Sequence, residues 1–171
     1  SNICTAQVLL AVMASMYAVY HGPEGLREIA TRVHDLTNTL AEGLRRTGHS
    51  VRHDAFFDTL RVDLHDTTQD RVRERAEAHE INLRYYDDGS VGVALDQTVR
   101  AEDLDALFTV FGATNGQKLY AEDLAADLDS GYDGPMPRRT SYLEHPVFHQ
   151  YHSEGELTRY MQSLADKDLS L

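Results

Sequence analysis

The chain opens with a run, residues 6–20, that is almost wholly apolar and carries no charge. Alanine, leucine and methionine favour the helical state, and no single helical face stands out, which predicts a helix buried on every side. Ser1 or Asn2 supplies a cap at its start. Gly22 and Pro23 end it, because proline cannot continue a helix. Such a helix needs more surrounding protein than a short chain provides.

A one-sided amphipathic helix is predicted next, beginning near Pro23. Its apolar residues recur at spacings of three and four: Leu26, Ile29, Ala30, Val33, Leu36, Leu40, Ala41 and Leu44. Proline suits the first turn of a helix, Arg45 and Arg46 suit the last, and Gly48 is the expected stop.

The period then changes from helical spacing to alternation. Residues 60–64 and 81–85 alternate apolar with polar side chains, as half-buried strands do, and Val91, Val93 and Leu95 form the returning strand. Residues 87–90, with the sequence Asp-Asp-Gly-Ser, predict a hairpin turn between the last two strands. A small sheet follows from this pattern.

Two shorter helices are predicted around these strands. Residues 66–68 offer caps for the first, and Thr98 is the expected cap of the second, which Gly112 stops. The order helix, strand, helix, strand, strand, helix places helices on one side of a small sheet. The predicted fold class is therefore α/β, a two-layer α+β domain over residues 22–112.

Beyond this domain the sequence changes character. Residues 113–137 are predicted to be a linker with a short helix, because the stretch 129–137 is rich in turn formers and lacks apolar anchors. Residues 138–171 are predicted to be a new unit without a core of its own. One helix in that unit carries an apolar stripe: Leu157, Tyr160, Met161 and Leu164.

The composition excludes several classes of partner. The formal net charge is −12, which argues against nucleic acid and against anionic membrane surfaces. The apolar run is also shorter than the roughly 20 residues that span a bilayer. Cys4 is the only cysteine, so no internal disulfide forms, and we expect the cytoplasm of a bacterium or another reducing compartment.

Three of the nine histidines lie close to an acidic residue near the C-terminus: His145, His149, His152 and Glu154. Their spacing suits metal ligands on a helix, but Pro146 favours an extended backbone. A polar packing cluster is therefore favoured, and no metal ligand is assigned. His49 and His53 flank a loop and are expected to be exposed.

Neither lysine has the surroundings of an imine-forming base. Such a lysine is usually desolvated, which lowers its pKa. Lys118 begins a polar linker, and Lys167 lies between two aspartates. Residues 89–92, with the sequence Gly-Ser-Val-Gly, lie in a hairpin rather than before a helix, so they predict no phosphate site. The residue types alone supply no complete catalytic set.

Three groups of motifs carry a resemblance to a known family. The first is SNICTAQ, the apolar run and MYAVYHGPEGL; the second is FFDTL with INLR and VGVALDQT; the third is HPVFHQYHSEGELTRYMQSLADKDLSL. In this order they resemble the glycine decarboxylase family, the pyridoxal-phosphate-dependent P-proteins of the glycine cleavage system. The resemblance covers essentially the whole chain.

The resemblance implies a place for the chain within a larger enzyme. The family has two homologous halves with the fold of type I pyridoxal-phosphate enzymes, and the chain resembles the interior piece where the halves meet. Residues 1–21 would be the inter-domain helix, 22–112 the small domain of the first half, and 138–171 the lead-in to the second. The Schiff-base lysine and most cofactor contacts of the family lie beyond residue 171. No catalytic or cofactor-binding residue is therefore expected in this chain.

The resemblance also implies a reaction and its partners. The parent enzyme would decarboxylate glycine with pyridoxal phosphate and pass the aminomethyl group to the lipoyl arm of the H-protein. Its partners would be glycine, the lipoylated H-protein, the remainder of its own enzyme and a second copy in a dimer. The isolated chain would be inactive and hold no cofactor. His152 and Glu154 fall in the last motif and are predicted to lie near the interface of the two halves.

Two alternatives stay open on the sequence. In the first, the chain is a free-standing α/β ligand-binding or regulatory domain. In the other it is a fragment of a different type I pyridoxal-phosphate enzyme, whose small domain would show similar periodicities.

Overall fold

A computed structural model describes residues 5–112, 118–132, 134–135 and 137–167. The described elements are, in chain order, α1 (Thr5–Arg46), β1 (Ser50–Val51), β2 (Thr59–Asp63), α2 (Gln69–Ala78), β3 (Arg84–Tyr85), β4 (Val91–Ala94), α3 (Ala101–Phe111), α4 (Ala121–Ala125) and α5 (Glu154–Ala165). A short 3-10 helix precedes α5 at Pro146–His149.

Two compact units make up the chain. The terminal unit consists of Ser1–Glu28 and Arg138–Leu171, and the central unit is Ile29–Pro137. The sheet, the helices α2, α3 and α4, and the second part of α1 belong to the central unit. The start of α1 and all of α5 belong to the terminal unit.

Helix α1 is interrupted where the sequence predicts a helix end. Gly22 has φ 62° and ψ −178°, which is not helical, and Pro23 follows it. Proline lacks the N–H that would continue the hydrogen-bond ladder. The two predicted helices are confirmed, and they are joined at a kink rather than by a loop.

The sheet of the central unit has the order β1-β2-β4-β3, and every neighbouring pair is antiparallel. Leu60 pairs with Val93 and Val62 with Val91, so the inward residues of the two central strands lie side by side. The predicted strands 60–64 and 91–95 are confirmed. The predicted strand 81–85 is shorter than expected, since pairing covers only β3. The two-residue strand β1 was not predicted, because so short a segment has no alternation to detect.

The described part of the central unit has one hydrophobic core. Helices α1, α2 and α3 share it with β2 and β4, and its most buried side chains include Leu40, Leu44, Leu60, Val62, Val72, Val91, Leu104 and Phe111. The polar positions of β2 alternate with these buried ones, as the predicted wet face requires. The two-layer α+β fold class is confirmed.

The caps of the two shorter helices differ in outcome. Thr68 caps α2 as predicted, accepting a hydrogen bond from the Arg71 N–H. Thr98 does not cap α3, which begins at Ala101. Its hydroxyl and its N–H both donate to the Asp96 carboxylate, at 2.6 and 2.8 Å, so the aspartate holds Thr98 in a local turn.

His49 is buried, contrary to the expectation that it is exposed. Its Nε2–H donates to the Gly112 carbonyl at 2.9 Å, and its Nδ1 accepts from the His65 N–H at 3.2 Å. Both ring nitrogens are satisfied without a charge, so burial costs little. His53 is exposed, as expected.

The segment before residue 137 has an anchor that the sequence did not predict. The Asp35 carboxylate accepts from the Ser130 hydroxyl at 2.6 Å and from the Gly131 N–H at 2.8 Å. Tyr132 packs edge-on against His34 and Phe57. The expectation that this stretch lacks apolar anchors is wrong at Tyr132. Residues 113–117 lie outside the described part of the chain.

Candidate functional site

The kink of α1 at Gly22 is sterically and conformationally constrained. Gly22 is buried there, and a Cβ at this position would lie 2.6 Å from the Phe148 carbonyl oxygen and 2.8 Å from His152 Cε1. Its positive φ also disfavours any L side chain. The backbone conformation and the lack of room for a Cβ both require glycine at position 22. Phe148 and His152 therefore pack directly against the backbone of α1.

His152 binds the last turn before the kink. Its Nδ1 lies 2.7 Å from the Tyr20 carbonyl oxygen, two residues before Gly22. A carbonyl only accepts, so Nδ1 carries the hydrogen and Nε2 presents a lone pair in the neutral ring. The backbone therefore fixes the tautomer of His152, although the residue is exposed.

Tyr142 binds the other side of the kink. Its hydroxyl donates to the Pro23 carbonyl at 2.6 Å. His149 Nε2 lies 3.0 Å from the Leu143 carbonyl, which ties the segment between Tyr142 and His152 to itself. We call Gly22, Tyr142 and His152 the kink clamp. The sequence singled out His152 but gave no signal for Tyr142, which lies outside every quoted motif.

Glu154 has a different environment from His152. It is the first residue of α5, it is exposed, and no hydrogen bond joins its carboxylate to any residue that the structure describes. The acid that interacts is Glu156, whose carboxylate accepts from the Ser153 hydroxyl at 2.8 Å, a bond that lowers its pKa. The expected positions of His152 and Glu154 at an interface of two halves stay a prediction.

The remaining histidines of the last motif also bind backbone. His145 Nδ1 accepts from the Val147 N–H at 3.2 Å at the start of the 3-10 helix. Within the described ranges no three His, Cys, Asp or Glu side chains form a group that would hold a metal ion. Cys4 lies outside those ranges.

The two lysines are both exposed. The Nζ of Lys118 lies 5.0 Å from the centre of the Tyr120 ring, and its interaction with Tyr120 raises its pKa. A lysine held cationic in water is a poor nucleophile for imine formation. The residues described here therefore do not fit the Schiff-base site of pyridoxal phosphate.

The start of α1 presents an apolar surface to solvent. Its large side chains are between 49 and 64% exposed: Val8, Leu9, Leu10, Val12 and Met13. The prediction of a helix buried on every side is wrong within this chain, because nothing described in it covers these residues. No described helix is long and apolar enough to cross a membrane. We call these five residues the apolar start of α1.

Comparison with known proteins gives consistent matches. The sequence model of the glycine cleavage system P-protein family matches residues 1–111. The chain is 49% identical over 171 residues to glycine dehydrogenase (decarboxylating), mitochondrial, of Gallus gallus, and 48% identical over 172 residues to that of Homo sapiens. It is 51% identical over 176 residues to glycine dehydrogenase (decarboxylating) of Nostoc punctiforme.

These alignments cover the relatives and the chain very unequally. Each one includes 100% of this chain but only 17 or 18% of the relative. The chain therefore spans less than a fifth of the length of the curated relatives it matches.

Proposed function

The chain belongs to the glycine cleavage system P-protein family, and from this premise we propose that it is a scaffold segment of a glycine dehydrogenase (decarboxylating). The parent enzyme decarboxylates glycine and transfers the aminomethyl group to the lipoyl arm of the H-protein. The observation that carries the proposal is the match to such enzymes over the whole chain at about half identity.

We propose the same division of the chain that the resemblance implies. Residues 1–21 are the inter-domain helix, 22–112 the small domain of the first half, 113–137 a linker with a short helix, and 138–171 the lead-in to the second half. The apolar start of α1 supports this division. Each large apolar side chain left in water forgoes about 1.5–3 kcal/mol of burial, and such patches usually meet a partner.

The role of this chain is to position parts of the enzyme rather than to react. The kink clamp sets the direction in which α1 leaves Gly22, because two side chains bind carbonyls on either side of that residue. His152 and Glu154, close together in sequence, lie near the interface of the two halves in this proposal. Neither is assigned a step in the reaction.

Pyridoxal phosphate supplies the electron sink for decarboxylation in the parent enzyme. The Schiff-base lysine is proposed to lie outside this chain, because Lys118 is exposed and held cationic and Lys167 is exposed.

Reductive labelling of the full-length protein tests the proposal. The protein is incubated with pyridoxal phosphate, reduced with borohydride and mapped by mass spectrometry, and exchange of the glycine carboxyl group with labelled carbon dioxide is measured in parallel. We expect exchange activity and stoichiometric label at a lysine outside these 171 residues. Label at Lys118 or Lys167 would reject the scaffold role. An inactive, unlabelled protein would favour a regulatory or ligand-binding domain.

A further inference from the structure

A cavity of about 270 Å³ lies in the central unit beside a buried histidine. Its lining includes His34, Asn38, Asp54, Phe56, Tyr132 and Pro135. Nothing in the proposed function uses this cavity, and its walls combine aromatic rings with polar side chains.

His34 brings an unpaired ring nitrogen to the cavity. The residue is 3% exposed, and its Nδ1 lies 2.9 Å from the Phe57 carbonyl oxygen. Because a carbonyl only accepts, Nδ1 carries the hydrogen and Nε2 holds a lone pair in the neutral ring. Among the residues that the structure describes, no hydrogen bond reaches Nε2. The Nε2 atom is accessible rather than sealed in the core, so a donor that enters the cavity can reach it.

Aromatic side chains fix the His34 ring in place. Phe57 stacks on it with ring centres 5.4 Å apart, and Tyr132 meets it edge-on at 5.0 Å. Tyr132 is itself held, since the Asp35 carboxylate binds Ser130 and Gly131 just before it. The cavity wall is therefore built from interactions that exist without a ligand.

Each polar side chain at the cavity offers at least one hydrogen-bond acceptor. The Asp54 carboxylate and the Asn38 amide line it, and neither has a hydrogen-bond partner in the described part of the chain. None of the described lining residues is a lysine or an arginine. Carboxylate, amide oxygen and imidazole lone pair together match a ligand group that carries several N–H donors and a positive charge. The rings of Phe56 and Tyr132 also line the cavity, and aromatic rings favour a cation nearby.

We propose that this cavity binds an alkylammonium group, carried by a small amine or by a lysine side chain from another part of the longer protein. Asp54 neutralises the charge, His34 Nε2 accepts one N–H, and the aromatic rings cover the alkyl stem. The inference goes beyond the proposed function, because a glycine-cleavage scaffold does not require it.

Titration of this chain with propylammonium chloride at pH 8, where free imidazole is neutral, tests the proposal. The readout is the ¹H–¹³C signal of His34 Cε1, with 1-propanol and sodium propionate as uncharged and anionic controls. We expect a saturable shift with propylammonium alone. Asp54→Asn should weaken binding by about tenfold, the loss of one charge-assisted hydrogen bond. Asp87→Asn, an exposed carboxylate outside the cavity, should leave it unchanged.

The full-length protein separates the two sources of the amine. If propylammonium shifts the His34 signal there as well, the ligand is a free amine. If the chain binds propylammonium and the full-length protein does not, and Asp54→Asn lowers the melting temperature of the latter, a lysine of the protein occupies the cavity. No saturable shift in the chain, an equal shift with 1-propanol, or unchanged affinity in Asp54→Asn would overturn the proposal. None of these results depends on glycine exchange or on labelling by pyridoxal phosphate.

Discussion

The central and terminal units use similar apolar side chains and reach opposite outcomes. In the central unit two strands offer a flat apolar face, and helices cover it until residues such as Leu60 and Leu104 lose contact with water. In the described part of the terminal unit, Val19 is the one large apolar side chain that is fully buried. Helix α5 buries none.

The difference shows that hydrophobicity alone does not produce a core. A helix that is apolar all round needs neighbours on every side, whereas a strand pair and an amphipathic helix each need only one. In the terminal unit, the side chains of Tyr142 and His152 instead make polar contacts to the backbone. A protein several times longer, as the relatives are, has the material to cover the rest.

The largest expected effect comes from removing the apolar start of α1. The complete 171-residue chain should self-associate, while a truncated chain beginning at Gly22 should be monomeric and more soluble. Sedimentation velocity at several concentrations measures both. A monodisperse monomer of the complete chain, with its first helix protected from hydrogen exchange, would contradict this and favour a free-standing domain.

A pair of leucine substitutions compares the two units directly. Leu104→Ala removes a side chain that is 0% exposed and should lower the free energy of unfolding by about 2–5 kcal/mol. Leu10→Ala removes one that is 64% exposed and should change it by less than about 0.5 kcal/mol. Urea unfolding followed by circular dichroism measures both variants. Equal losses would mean that the first helix already has a partner within the chain.

A pair of glycine substitutions tests the kink clamp. Gly22→Ala forces an alanine to φ 62° and a Cβ to 2.6 Å from the Phe148 oxygen, so it should cost about 1–3 kcal/mol of local stability. Gly155→Ala, in the first turn of α5, meets only Arg159 at 3.4 Å and should stabilise that helix by about 0.5–1 kcal/mol. Amide hydrogen exchange over residues 142–165 reports both. Unchanged protection in Gly22→Ala would refute a clamp at this residue.

The smallest expected effect concerns charges around the hairpin of the central unit. Arg52 binds the carboxylates of Asp63 and Asp88, and Arg61 also binds Asp88. The pKa of Asp63 is lowered chiefly by its bond to Arg52, and that of Asp88 by its bonds to Ser90 and then Arg52. Carboxylates with lowered folded-state pKa values contribute stability above their unfolded pKa near 4, and lose it as the pH falls through their folded values.

Melting temperatures between pH 7 and pH 2 test this dependence. Arg52→Gln should flatten the loss of stability below about pH 4, since both carboxylates then titrate closer to their unfolded pKa. Arg27→Gln breaks only an exposed pair with Glu24 and should leave the profile unchanged. Identical acid profiles for the wild type and Arg52→Gln would show that the network does not set the acid stability.

Local pattern accounts for most of the secondary structure that was predicted correctly. The period of apolar residues predicted the amphipathic part of α1 and the strands β2 and β4, and glycine and proline predicted where the first helical part ends. The predicted cap of α3 was wrong, because two local interactions compete for the same threonine. Thr98 was expected to cap a helix. Its hydroxyl and N–H instead donate to Asp96, two residues earlier in the chain.

The candidate site was predicted only in part. The sequence drew attention to His152, yet the carbonyl that it binds lies 132 residues earlier in the chain. Tyr142 binds across 119 residues and carried no sequence signal. Neither periodicity nor composition encodes contacts between residues so far apart in the chain, so the clamp was not predicted.

The sequence by itself determined the helices, the main strands, the fold class and the family, because these follow from short-range periodicity and from long motifs. Only the tertiary structure decided which side chains are buried. His49 is enclosed because His65 and Gly112 satisfy both ring nitrogens, and His34 because aromatic rings from distant segments meet around it. The apolar start of α1 stays in water because no described segment packs against it. Burial depends on what lies opposite a residue in space, and a linear pattern does not specify that.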